Sequence, residues 1–436
     1  MASSASPPAS GSPLFSMACA SHLSGRARQL RRRSFPLPRR ALPEAARLMR
    51  SVCTALGPLP TRMVLLIGNY APDQQQSMQR FSKMMLRELR ALGVAARLVQ
   101  PAPWLTRIWR FPFAKKWAGY FDKFILFPLR IRFRKWPNVN LVHICDHSNA
   151  VYAPHFRDTP VVVTCHDLLA VRGALGEATD CPASLTGKFL QRWILSGLRR
   201  ASAVACVSNA TAADAKRSLA DEKNAPRITV IENGLNYDYR PLPEGEVTTR
   251  LAPLQRLKLD RPFVLHVGSN LRRKNRVGVL RIFARTKEDW NAQLVFAGDA
   301  IAAELSAEVR RLGLTGRIAQ IVAPESELLE ALYNRAHALL FPSRFEGFGW
   351  PIAEAQACGC PVSTSKAPPM SEVAGDAALL RDVEDEMGFA EDLLRLRDPA
   401  LRTKLRALGF QNAERFNARR MAERYLALYR ELGAAA

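Results

Sequence analysis

The chain of 436 residues has no apolar run approaching the about 20 residues that a membrane-spanning helix needs. It has eight cysteines but no C-x-x-C pair and no zinc-ligand spacing. Cys358-Gly-Cys360 is a C-x-C at an expected helix end, and packing is its simplest reading. Cys145, Cys165 and Cys206 sit inside core-like runs, which suits a reducing cytoplasm. No D-x-D lies at an expected strand end. Acids are scarce, with 39 Asp and Glu against 63 Lys and Arg, for a net charge of +24.

The scarcity is local. Residues 1–62 hold ten Arg and a single acid, Glu44. They are rich in Ser, Ala and Pro and lack periodicity, so 1–61 is expected to be a disordered basic extension. Three origins stay open: an over-long start with translation beginning at Met49 or Met63, which is preferred, a transit peptide, or a basic tail. No clean apolar core follows the charges, which argues against a secretory signal. Residues 104–137 hold nine Lys or Arg, one acid (Asp122) and eleven aromatics. Cations interleaved with aromatics suit an anionic membrane surface. They also suit single-stranded nucleic acid, or inward-packed rings beneath solvated charges.

What is present reads as alternating α/β. Apolar runs expected as strands begin at Met63, Leu141, Pro160, Ala203 and Ile228, then again at Pro262, Gln293, Ile318, Ala338 and Pro361. Gln76 to Leu92 has helical spacing and stops at Gly93. Residues 236–260 look irregular and proline-containing. The domains are therefore expected at 62–245 and 261–415, joined by a linker at 246–260, with a terminal helix in 416–436. Such doubly wound sheets bind ligands at strand ends, which nominates Gly68.

The most informative segment is Phe341-Pro-Ser-Arg-Phe-Glu-Gly-Phe-Gly-Trp-Pro-Ile-Ala-Glu-Ala355. It reads as strand, acidic glycine loop and helix, with Pro351 suited to the first turn and Gly359 to the stop. Gly347 and Gly349 permit close approach of backbone to a ligand. The helix start suits a phosphate. Glu346 and Glu354 can accept hydrogen bonds from two hydroxyl-bearing ends of one ligand. Two solvated glutamates on a capped helix are the plainer alternative.

The segment resembles the E-x(7)-E signature of retaining family 4 glycosyltransferases, as in bacterial members. The match runs through Ser343, Glu346 to Gly349, Pro351, Glu354, Gly359 and Pro361, and on through Glu372-Val-Ala-Gly-Asp-Ala-Ala378. The resemblance covers roughly residues 63–432. It implies the GT-B fold: two Rossmann-like domains facing across a cleft, with the last helix crossing back to the first. Val267-Gly-Ser-Asn-Leu-Arg-Arg-Lys-Asn275 is similar to the family's G-x-x-x-x-R-K segment, which places Arg273 and Lys274 on the donor diphosphate. Many members have Arg where this chain has Ser269, so either Arg272 or Arg273 must do more or the donor is held differently. Thr164-Cys-His-Asp-Leu168 resembles T-x-H-D, which puts His166 beside the reacting centre. Val207 to Thr211 and Asn233-Gly234 also match, and read as turns and a cap.

The resemblance implies metal-free transfer from a nucleoside diphosphate sugar, with no cofactor. Catalytic candidates are His166, Glu346, Arg273 and Lys274. Donor-binding candidates are Gly68, Ser269, Arg273, Lys274, Glu346, Gly347, Phe348, Gly349 and Glu354, the last on the ribose. Acceptor-side candidates are Asp146, His147 and Asp167. With that reading, a membrane surface is preferred for 104–137 and nucleic acid is not. A glycan or lipid-linked acceptor of lipopolysaccharide type is expected, and a peripheral location on the cytoplasmic face. The competing classes are a phosphorylase-like relative, for which no pyridoxal lysine segment is found, and a catalytically weak binding protein on the same frame.

Overall fold

The computed structural model describes residues 62–434, apart from 74, 109–111, 135, 221–224, 258 and 260. The expected basic extension, 1–61, lies outside the described residues. The rest forms two six-stranded parallel sheets.

The first sheet contains β1 (Met63–Ile67), β2 (Ala96–Val99), β3 (Val139–Ile144), β4 (Val161–Cys165), β5 (Ala203–Cys206) and β6 (Arg227–Val230), in the order β2-β1-β3-β4-β5-β6. The second contains β7 (Phe263–Gly268), β8 (Gln293–Gly298), β9 (Ile318–Val322), β10 (Ala338–Phe341), β11 (Val362–Ser365) and β12 (Ala378–Arg381), in the order β12-β11-β10-β7-β8-β9. The expected two Rossmann-like domains are present. Strands such as Val161-Val-Val-Thr-Cys165 are buried along their whole length, because helices cover both faces of a parallel sheet.

Each sheet has one switch point, where the chain leaves in opposite directions from adjacent strands. In the first it lies between β1 and β3, paired as Leu65 with Val142. In the second it lies between β7 and β10, paired as Leu339 with Leu265. The loops after β7 and β10 therefore meet, though about 70 residues separate them in the chain.

The linker expected at 246–260 is not irregular. Glu244–Leu251 is a helix, continued by a 3-10 turn at Ala252–Leu257. Its Arg250 donates to buried Glu330 at 2.6 Å on the helix Ser326–Arg335. This stretch is thus packed into the second domain, since one apolar helix face seats Val247 and Leu251 in that core.

The terminal helix Ala418–Glu431 does cross back. Its Tyr425 shares a 2.7 Å hydrogen bond with Thr164 of β4, and its Tyr429 shares one of 2.7 Å with His143 of β3. Burial drives the His143 pKa down to about 3, so a neutral ring bridges Tyr429 and Thr164. Gly234 is required at the crossing: a Cβ there would lie 2.5 Å from the Ala418 backbone.

Candidate active site

The loop after β7 makes one 3-10 turn, Arg272–Lys274, and ends on Asn275 at φ +54°. This turn aims Arg273 and Lys274 at the loop after β10. There the Glu346 carboxylate accepts from Arg273 Nη1 at 2.7 Å and from Lys274 Nζ at 2.6 Å. Arg273 also donates to the Phe345 carbonyl at 3.1 Å. Burial alone would raise the Glu346 pKa, but the two cations more than offset it and hold the carboxyl below its usual range. The same burial lowers Lys274, against the pull of Glu346. One carboxylate thus pairs with two cations inside the protein, and Asp167 adds a second acid to the same lining.

Gly347 and Gly349 do different work. A Cβ on Gly347 would lie 1.8 Å from the His166 carbonyl oxygen, so this glycine lets the second domain touch the first. Gly349, at φ +103°, turns the chain into the helix Trp350–Ala357, with Pro351 in its first turn. The Gly347 carbonyl accepts from Ser208 Oγ at 2.9 Å and from Thr211 Oγ1 at 3.2 Å. Ser208 caps the helix Asn209–Leu219, as expected. The first two N–H groups of that helix donate to Glu372 of the second domain, at 2.7 Å from Asn209 and 2.9 Å from Ala210.

A cavity of about 150 Å³ lies at this junction. Glu346, Arg273, Lys274, His166, Asp167 and Asn233 line it, together with the Gly347 to Pro351 backbone and the helix start at Ser77 and Met78. His166 Nε2 lies 3.0 Å from the Cys145 carbonyl, so that nitrogen carries the proton. Its Nδ1 is buried and has no partner. Burial, chiefly, keeps the ring neutral by lowering its pKa. Both amide atoms of buried Asn233 are also unpartnered. All three atoms are buried and belong to residues of the cavity lining, where polar atoms are ordinarily hydrogen-bonded. Asn233 was expected only as a turn residue, and Ser77, Met78 and Glu372 were not singled out for the site at all. Asn233 and Glu372 lie in segments that match the family, and Ser77 and Met78 lie in none.

The remaining candidates are scattered. Glu354 is buried and accepts from the Tyr333 hydroxyl at 2.8 Å, and burial pushes its pKa up to about 7. It lies outside the lining of the small cavity. Ser269 and Gly68 lie outside that lining too, and the Cβ direction of Gly68 is filled by Gln100 and Ser82. Arg272 is exposed, 3.6 Å from Asp180 of the first domain. Of the two arginines expected to stand in for the missing one at Ser269, Arg273 faces the cavity.

On the acceptor side, Asp167 lines the small cavity and also a second one of about 420 Å³ between Arg172, Asp214 and Glu372. Asp146 is buried and not open to a ligand. Its carboxylate accepts from Asn69 Nδ2 at 2.5 Å, Ser148 Oγ at 2.6 Å and Ser148 N at 3.1 Å. Asp146 thereby ties the loop after β1 to the loop after β3. His147 Nδ1 lies 3.1 Å from the same carboxylate. Burial would lower the His147 pKa, and Asp146 outweighs it and raises it.

The two six-stranded sheets and the crossing terminal helix define the GT-B fold, and comparison with known proteins agrees. Residues 78–239 match the family described as Glycosyltransferase Family 4, and residues 250–410 match glycosyl transferases group 1. The chain belongs to the family 4 glycosyltransferases. Over 280 residues it is 27% identical to O-antigen chain mannosyltransferase B of Escherichia coli, covering 62% of this chain and 70% of that one. Among solved structures, sucrose-phosphate synthase of Thermosynechococcus elongatus superposes with a TM-score of 0.66 at 19% identity, covering 86% of this chain and 100% of that one. WaaG, a glycosyltransferase involved in lipopolysaccharide biosynthesis, superposes with a TM-score of 0.61 at 16% identity, covering 83% and 98%. At such identities the two structures speak for the fold alone.

Proposed function

We propose that this glycosyltransferase moves a sugar from a nucleoside diphosphate sugar to a glycan or lipid-linked acceptor, with retention and without a divalent metal. The synthesis of a cell-envelope polysaccharide or lipopolysaccharide is the setting that the O-antigen mannosyltransferase relative suggests. The observation that carries this reading is the convergence of Arg273 and Lys274 on Glu346, beside the orphaned atoms of His166 and Asn233.

In this reading the donor diphosphate lies against Arg273, Lys274 and the start of the helix Trp350–Ala357. The bond from the anomeric carbon to the phosphate oxygen breaks, and both electrons leave with the diphosphate. Preorganised cations stabilise that charge where it develops. The acceptor hydroxyl forms the new bond on the same face, and its proton passes to the departing phosphate oxygen. Glu346 orients the sugar hydroxyls. The neutral His166 Nδ1 accepts a hydroxyl hydrogen, Asn233 completes the sugar's contacts, and Glu354 takes the ribose. Asp167, which lines both cavities, sits on the acceptor side.

A seat on an anionic membrane, on the cytoplasmic side, belongs to the same reading. Among the described residues no helix is long and apolar enough to cross a bilayer. In 104–137, Trp104, Trp117, Phe121 and Phe133 are exposed, whereas Phe127 is buried and Phe124 packs against the core. Part of the aromatic set is thus core, and part faces out beside exposed Arg107, Arg130 and Arg132. Trp109, Phe111 and Lys135 lie outside the described residues.

The test begins with a thermal-shift panel of UDP-, GDP-, ADP- and dTDP-sugars, since a bound donor raises apparent stability. The sugar that stabilises is then offered with lipid-linked acceptors, and the anomeric configuration of the product is read by NMR. An inverted product overturns retention. Loss of transfer in chelator, restored by manganese or magnesium, overturns metal independence. No stabilising donor overturns the reading as a whole.

A further inference from the structure

The helix Leu185–Arg199 in the first domain has a bare apolar stripe. Leu185 is 85% exposed and Phe189 is 71% exposed. With Trp193 they occupy positions i, i+4 and i+8, and so lie along one face. Exposed Lys188 and Arg192 flank that face. The helix contains no acidic residue. Such a stripe on a monomer marks a contact site. Trp193 packs partly against the first core, as Ile194, Leu195 and Leu198 do, but nothing in the fold covers Leu185 and Phe189.

The stripe is continuous with the aromatic and basic segment. The Trp193 ring lies 5.4 Å from Phe124, Phe124 stacks at 5.9 Å on Tyr120, and Tyr120 lies 6.0 Å from Trp117. A row of rings thus joins exposed Trp117 to the helix. Asp122, the sole acid of 104–137, is turned inward, accepting from Tyr70 Oη at 2.7 Å and Thr106 Oγ1 at 2.8 Å. In the loop before the helix, Glu177 is held by Arg172 at 2.7 Å. The joined surface therefore presents mainly cations and apolar side chains: Asp122 is withdrawn, and Asp73 is paired with Lys123 at 2.8 Å.

We propose that Leu185–Arg199 is a second membrane-seating element, which lies with the helical segments of 104–133 on an anionic phospholipid bilayer. The inference rests on the membrane reading given above. The occupant is a bilayer rather than a protein groove because cations outnumber acids on this surface and the apolar residues stand out as separate side chains between cations, the pattern of an interfacial helix. Leu185 and Phe189 would enter the headgroup and acyl boundary while Lys188 and Arg192 meet lipid phosphates.

The test is flotation of the full chain with vesicles of phosphatidylglycerol and phosphatidylethanolamine, and with phosphatidylcholine alone. The double variant L185E/F189E is compared with W117E/F121E. Each should lower partitioning onto anionic vesicles by at least about tenfold, as expected when two large apolar side chains can no longer be buried, and neither should alter the donor thermal shift. If the wild type binds, W117E/F121E is released and L185E/F189E binds unchanged, the second element is overturned while the membrane reading stands. If the wild type binds neither vesicle, the membrane reading fails and this inference with it. Equal binding to neutral vesicles overturns the anionic partner. Loss of self-association in L185E/F189E, with vesicle binding unchanged, would assign the stripe to a second copy instead.

Discussion

Tyr333 donates its hydroxyl hydrogen to Glu354 at 2.8 Å, inside the second domain. The bond stabilises the carboxylate form against burial, which pushes the group up to about 7, while Arg80 and Lys274 pull the other way. Ribose hydroxyls need the ionised form as acceptor. Donor binding should therefore expel a proton at acid pH, and affinity should fall as pH drops below about 7. Tyr333→Phe removes a donor worth roughly 0.5–1.5 kcal/mol, so the fall should begin roughly half to one pH unit higher. Calorimetry across pH, in two buffers of different ionisation enthalpy, reads both effects. An unchanged profile in the variant would sink the assignment.

Glu354→Ala should weaken donor binding by roughly 1–3 kcal/mol, the cost of orphaning hydrogen-bonding groups. Unchanged affinity by titration calorimetry would remove Glu354 from the ribose.

Glu346 should separate binding from transfer. Its carboxylate occupies Arg273 and Lys274 when no donor is present. Glu346→Gln frees both cations, so a nucleoside diphosphate lacking the sugar should bind no more weakly than to the wild type. Transfer should fall on the order of 100-fold, as when one preorganised charge partner of a transition state is lost. Parallel loss of diphosphate affinity would contradict this division of roles.

Asn233 carries two orphaned buried atoms. Asn233→Ala removes groups that gain nothing in the empty site, so the melting temperature without donor should not drop. Donor stabilisation and kcat should both decline. A large loss of stability with normal turnover would instead make it a structural turn.

Glu372 holds the first turn of the helix Asn209–Leu219 across the domain junction. Glu372→Ala should loosen closure by roughly 1 kcal/mol, a typical contribution of an N-terminal cap. Small-angle scattering should show a larger radius of gyration and kinetics a higher donor KM, with saturating donor restoring the compact form. Identical scattering without donor would argue that other contacts close the cleft.

The central strands were legible because parallel strands buried on both faces must be apolar throughout. β2 and β12 were not expected: each is a four-residue edge strand whose apolar run is broken or half-exposed, with Arg97 exposed in β2 and β12 only half-buried. The helix Glu244–Leu251 was hidden by Pro243 before it and Pro253 after it. The meeting of Arg273, Lys274 and Glu346 was legible through motif and strand order together, since both loops leave the same switch point. Asn233 and Glu372 were not, because their roles come from domain contacts that no local pattern encodes. Asp146 shows the converse. Its place after β3 was readable, but its capture by Asn69 and Ser148 was not.

The bonds from Tyr425 to Thr164 and from Tyr429 to His143 have a consequence for synthesis of the chain. Six strands of the first sheet leave the ribosome early, yet the helix that covers their face is made nearly last. Met421, Tyr425 and Tyr429 belong to the same buried cluster as Leu66, Leu141 and Val162. The helix Gln76–Ala91 covers part of that cluster early, and the rest stays open until translation ends. Loss of the last residues therefore uncovers part of the sheet that was made first.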